Sequence, residues 1–282
     1  MKAKINLIFF SMLINIPHLF IKSYRWNYLL RQQKIFIKPI QTYLAYLSSL
    51  YIGYITPGRI GEFIKVVYLK SEKNITISKG FSSVLVDRLF DLYLLIVLGV
   101  IGLWYFNIFE KLSTAFIYLF FIILFSPLLI FNRILTKRII NLIFTISVLD
   151  KVKSKAQNSF KIFSESLNQL INPKLFISGF LTLIAYSMFF FQCYLIVISM
   201  NLPINFITIT LFMAIANLIS FIPISVSGLG TRDAALIFLF SLIGLKPELA
   251  VSYSLFVFIV FFITGGIMGA ISWWMRPLKF KI

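Results

Sequence analysis

Histidine and cysteine are nearly missing from this chain: His18 and Cys193 are the only ones in 282 residues. A single cysteine excludes an intramolecular disulfide, and one residue of each type is too few for a Cys/His metal site. Cys193 lies in an apolar run and reads as a small packed hydrophobe. Charge is scarce too. Only 13% of residues are charged, against about 25% in a soluble domain. The polar alternation of a barrel strand is also missing. These absences argue against a soluble domain and a transmembrane β-barrel, and no metal or cofactor is expected.

What is present is apolar: 60% of the residues are hydrophobic. Runs approaching the roughly 20 residues needed to cross hydrocarbon recur along the chain. They predict an all-α, polytopic membrane bundle, a single domain over 1–282 with about seven spans plus re-entrant or broken helices. The spans fall at 5–21, 80–104, 112–131, 175–199, 204–222 and 249–275. A short apolar run follows at 234–246, and the segment 40–57 is apolar but ends on Pro57-Gly58.

The net charge of +18 is placed like a topology signal and not like a nucleic-acid surface. Lys22, Arg25, Arg31, Lys34 and Lys38 cluster in 22–39, Arg59, Lys65, Lys70, Lys73 and Lys79 in 59–79, and further cations in 133–174 and the tail. The connections near 105–111, 200–204 and 246–248 are close to neutral. By the positive-inside rule the basic segments and the C-terminus face the cytoplasm of a prokaryotic-type inner membrane, and they attract anionic headgroups. The N-terminus is then external, an arrangement that a helix upstream of Met1 would also rationalise. Because both flanks of 40–57 are basic, that segment reads as a re-entrant hairpin, tolerated where irregular backbone is buried or lines a cavity. Within 133–174, Phe160, Phe163, Leu167 and Leu170 recur at helical spacing, so this helix is amphipathic. It either lies on the interface or closes the base of the bundle. Gly265, Gly266, Gly269 and Ala270 make a small-residue packing face.

Three clusters interrupt the apolar sequence. In Pro57-Gly58-Arg59-Ile60-Gly61-Glu62 the proline ends a helix, and Gly58 and Gly61 permit a tight turn. Arg59 with a helix start could hold a phosphate, or Arg59 and Glu62 could pair with each other in a structural hairpin. Asp87 and Asp91 are four residues apart beside Arg88. They repel unless a cation sits between them, and Arg59, Arg88 or Arg232 could supply it. An internal salt-bridge network is one reading, a cation- or proton-sensitive site the other. The third cluster runs from Pro223 through Ser225 and Ser227 to Gly228-Leu229-Gly230-Thr231-Arg232-Asp233. It has no local histidine for a nucleophilic serine and no Walker lysine. Ionisable groups inside a membrane are costly, roughly 2.5–3.5 kcal/mol each on insertion scales, so they mark functional candidates. Two Gly/Pro-interrupted elements in different halves of a chain point to a transporter's binding site.

The three clusters, in this order and membrane context, resemble the signatures of the lysylphosphatidylglycerol synthase transmembrane (flippase-like) family, over nearly the whole chain. This chain resembles a stand-alone member: it carries no synthase domain, and it has Asp87 and Asp233 where the family more often shows Glu. The resemblance implies a lipid translocator that moves a phospholipid or glycolipid headgroup between leaflets, and not a catalyst. Its substrate-binding residues would be Arg59, Glu62, Asp87, Arg88, Asp91, Arg232 and Asp233, and its structural turns Pro57, Gly58, Gly61, Pro223, Gly228 and Gly230. Arg59 and Arg232 would engage phosphate, while the acids balance charge or contact a cationic headgroup. The alternative is a non-transporting accessory protein that binds lipid or partners a cell-envelope glycosyltransferase or lipid-synthesis enzyme. The expected partners are membrane lipids, with such an enzyme or a second copy of the chain also compatible, and no nucleic acid.

Overall fold

The computed structural model describes residues 3–57, 59–108, 150–221, 225–226 and 228–278, and the side chains of all these except 150–156. The expected span 112–131, the first part of the 133–174 segment, Gly58, Pro223 and Ser227 lie outside the described residues. Everything regular in the described residues is helical. The elements are α1 (Ile5–Gln32), α2 (Pro39–Ile55), α3 (Ile64–Lys73), α4 (Ile77–Tyr105), α5 (Asp150–Leu170), α6 (Leu175–Ser199), α7 (Phe206–Ser220), α8 (Thr231–Ser241) and α9 (Pro247–Met275). Of these, α1, α6 and α9 are long and apolar enough to cross a membrane, and the expected span 80–104 falls within the 29-residue α4.

The lipid-facing surface follows from helical spacing. Phe9, Phe10, Leu13, Ile16 and Phe20 stand exposed along one side of α1, and Phe176, Ile177, Phe180 and Leu183 along α6. Such exposure would be costly in water and is the expected outer face of a bundle in hydrocarbon. The buried side of α1 packs along α6, and α4 packs against α7 and α5. Two apolar cores result. The larger joins α6–α9 around Phe212, Phe240 and Tyr253. The smaller joins the end of α1 with α2, α3 and α4 around Trp26, Tyr46 and Tyr68. The apolar stripe of α5 closes on the bundle, with Leu167 and Leu170 packed against Leu29 and Val86.

The first hydrophobic run ends at Ile21, and Lys22 and Arg25 read as loop cations. Instead α1 continues without a break to Gln32, about 42 Å of helix, and Arg25 is 1% exposed. The helix continues because its polar side chains find partners inside the bundle, as described below.

Two helical hairpins interrupt the long helices. After α2 the chain reverses through Thr56 and Pro57 and a 3-10 turn, Ile60–Phe63, that packs back on α2 before α3 begins. The reversal demands glycine at 61: a Cβ there would lie 2.6 Å from the carbonyl oxygen of Ile52. The second reversal joins α7 to α8, which pack against each other. Gly228 takes φ 76°, and a Cβ on it would meet the Ser220 hydroxyl at 2.5 Å. Both hairpins use α9 as a common spine. Its N-terminal part packs on α8 and its C-terminal part on α2, and between them Phe258–Ile263 forms a π-helical segment.

Candidate functional site

The hairpin tips meet. Pro57 and Val226 form an isolated antiparallel bridge, so the two interrupted motifs, about 170 positions apart in sequence, share one place in space. Beneath them lies a cavity of about 70 Å³, room for roughly five waters. Its walls come from α1, α2, α4, α6, α7, α8 and α9 and from the 3-10 turn, and Arg59, Glu62, Arg88, Asp91 and Arg232 all line it.

The π segment presents Phe262 to both arginines. The Arg59 guanidinium lies 5.3 Å from the Phe262 ring centre and that of Arg232 lies 5.1 Å from it. Arg59 also sits 5.7 Å from the Tyr54 ring, which packs on Phe262 at 4.8 Å. Arg59 itself has φ 57° at the start of the 3-10 turn. A left-handed non-glycine residue is uncommon and marks a position worth functional attention. Among the described residues Arg59 has no ion pair. Arg232 is 2% exposed. Its Nη2 donates to the hydroxyl of Ser254 at 3.2 Å and lies 3.5 Å from Asp233 Oδ1, while its Nε finds no acceptor among the described residues.

The remaining acids are committed elsewhere. Glu62 pairs with Arg88 of α4, not with Arg59. Asp233, at the third position of α8, accepts the Gly230 backbone N–H at 3.0 Å and the Ser254 hydroxyl. It thereby caps the helix that carries Arg232. Gly230 supplies the cap with φ 83°. The Ser225 and Thr231 hydroxyls bond each other at 2.8 Å.

Asp87 and Asp91 sit in a network built around Arg25. Its Nε donates to Asp87 Oδ1 at 2.9 Å, and its Nη1 donates to Asp91 Oδ1 and to the Thr182 hydroxyl, both at 2.8 Å. Its Nη2 donates to the Asp87 carbonyl at 2.9 Å. Lys65 reaches Asp87 Oδ2 at 3.2 Å and Lys22 reaches Asp91 Oδ2 at 2.9 Å. Lys65 is enclosed by the rings of Tyr46 and Trp26, at 4.5 and 5.2 Å. The cation between the aspartates is therefore Arg25, flanked by two lysines, and not Arg59, Arg88 or Arg232. The spacing of the acids signalled that a cation was needed. Nothing in the local sequence distinguished Arg25 from its loop-like neighbours.

A family model described as the lysylphosphatidylglycerol synthase TM region matches residues 1–269. The chain belongs to that family. Within the lysylphosphatidylglycerol synthase TM family, it is similar to UPF0104 membrane protein MJ1595 of Methanocaldococcus jannaschii, with 26% identity over 272 residues, 89% of this chain and 79% of that protein. It is also similar to UPF0104 membrane protein PH1989 of Pyrococcus horikoshii, with 25% identity over 294 residues, 96% and 87% of the two chains. No solved structure matches the chain. All three motif clusters of this family member lie within the matched region. Their described cavity-lining members are Arg59, Glu62, Arg88, Asp91 and Arg232.

Proposed function

We propose that this family member is a lipid translocator of the inner membrane, moving a phospholipid or glycolipid headgroup between leaflets without chemical change. The observation that carries this reading is the convergence of Arg59 and Arg232, one from each interrupted hairpin, on the Phe262 ring in the wall of one cavity. A buried guanidinium beside a half-buried one that is unpaired among the described residues, both with unused donors, suits phosphate, which they bind with charge-assisted hydrogen bonds. Irregular backbone at the hairpin tips supplies the place where a polar headgroup could be met inside hydrocarbon.

The cavity's narrowness favours a second reading, in which the protein binds a lipid phosphate and serves a lipid- or glycan-synthesis enzyme without moving anything. Transfer of acyl-labelled lipid between leaflets of proteoliposomes separates the two. The translocator reading expects transfer by the wild type and a loss of about tenfold or more for Arg59→Ala, the scale of one charge-assisted hydrogen bond. Wild-type transfer by a folded Arg59→Ala protein would sink the role given to Arg59. No transfer by either protein would leave the accessory reading.

A further inference from the structure

The charge arrangement in this cavity bears on which headgroup it accepts, and the inference rests on the translocator reading of the same site. Four cations line the space, Lys22, Arg59, Arg88 and Arg232, against two carboxylates, Glu62 and Asp91. Among the described residues, two positive charges are left over. Including the residues behind the wall, Arg25 and Lys65 with Asp87 and Asp233, changes nothing, because they add two charges of each sign. Each of the four carboxylates faces at least one cation, although neither Glu62 oxygen is hydrogen-bonded among the described residues. Asp91 holds Arg25 and Lys22, Asp87 holds Arg25 and Lys65, Glu62 holds Arg88, and Asp233 caps Gly230 and accepts from Ser254. One excess charge sits at Arg59, which has no ion pair among the described residues, and the other in the Arg25 network, where Arg25, Lys22 and Lys65 share two aspartates. Arg232 has Asp233 at 3.5 Å, but its Nε is buried with no acceptor among the described residues. Aromatic faces attract these guanidiniums but carry no net charge to neutralise them.

We propose that the cavity takes an anionic, phosphate-bearing headgroup with no ammonium group, and that it discriminates against zwitterionic and cationic lipids. An ammonium entering this space would meet the unpaired Arg59 and a net positive lining, and would have to displace Arg25, Lys22 or Lys65 to reach either aspartate. Like-charge juxtaposition and displaced ion pairs are the repulsive half of specificity. A phosphate monoester or diester meets the free donors of Arg59 and Arg232 and neutralises what is in excess.

The test uses the full chain in proteoliposomes, with acyl-labelled phosphatidic acid, phosphatidylglycerol, phosphatidylethanolamine and lysyl-phosphatidylglycerol. Binding of radiolabelled inorganic phosphate to the protein in nanodiscs is measured in parallel. Anionic lipids are expected to cross about ten- to a hundredfold faster than the two amine-bearing lipids, and inorganic phosphate is expected to bind. Arg59→Gln should weaken phosphate binding by about tenfold and Arg59→Lys should restore part of it. Glu62→Gln, which releases Arg88, should strengthen binding, a direction that a purely structural role for Glu62 does not produce. Equal or faster transfer of lysyl-phosphatidylglycerol overturns the selectivity while leaving the translocator reading intact. Phosphate binding that depends on Arg59, without transfer of any lipid, upholds the anion site and overturns translocation. Neither binding nor transfer by folded protein overturns both.

Discussion

At the scale of single residues, Arg25 organises the interior. One guanidinium spends its donors on two aspartates, a threonine hydroxyl and a backbone carbonyl. Breaking one partner out of a buried ion network costs about 3–5 kcal/mol, because the other partner is left charged and alone. Arg25→Met should therefore lower the melting temperature in detergent sharply. Adding Asp91→Asn should recover part of the loss, since the substitutions share a network and are not additive. A single variant as stable as the wild type would contradict this role. Arg25 was hidden in the sequence for a physical reason. A cation one turn beyond an apolar run has the same local pattern whether it snorkels to the interface or turns inward to a carboxylate, and the positive-inside rule assigns both to the loop. The legible clue lay 62 positions away, in two aspartates that could not stand together without a cation. Arg59, Glu62, Asp87, Arg88, Asp91, Arg232 and Asp233 stood out more readily, because each is charge set in an apolar surrounding.

At the scale of elements, the two hairpins were legible, since proline and glycine punctuate otherwise continuous runs. Their common spine was not. The segment Phe258–Ile263 is uniformly apolar, and nothing in such a run announces an extra residue in a helical turn. Yet that π turn presents Phe262 to both arginines, and π bulges recur at functional sites. The glycine face of α9 was also visible in the sequence, and it makes a discriminating prediction. A Cβ on Gly269 would lie 2.6 Å from the Leu47 carbonyl oxygen, whereas one on Gly266 meets nothing within 4 Å. Gly269→Ala should destabilise by about 1–3 kcal/mol, by forcing α2 and α9 apart. Gly266→Ala should be neutral or slightly stabilising, since alanine is the better helix former. Thermal melts of the two variants check the packing directly, and equal melting temperatures would refute it.

At the scale of the whole molecule, the membrane orientation rests on charge placement and is open to a labelling test. Cys193 is fully buried, so the wild-type protein should resist a membrane-impermeant maleimide. Against that silent background, Lys34→Cys should label only from the cytoplasmic side and Asn107→Cys only from outside. These positions follow the C-terminal ends of α1 and α4. Labelling of both from one side would overturn the topology. The two larger cores, and the cavity lined by residues of both, were not legible at all, because they depend on which helices pair and not on what each helix contains.

The bridge between Pro57 and Val226 has a kinetic consequence. On the translocator reading, a headgroup that enters past these tips must part them, and that separation ruptures a backbone pair before any new contact with the headgroup forms. Opening then carries its own activation barrier, set by the protein and shared by every cargo. If the protein is the proposed translocator, lipids of different affinity should saturate it at different concentrations yet approach a common maximal turnover.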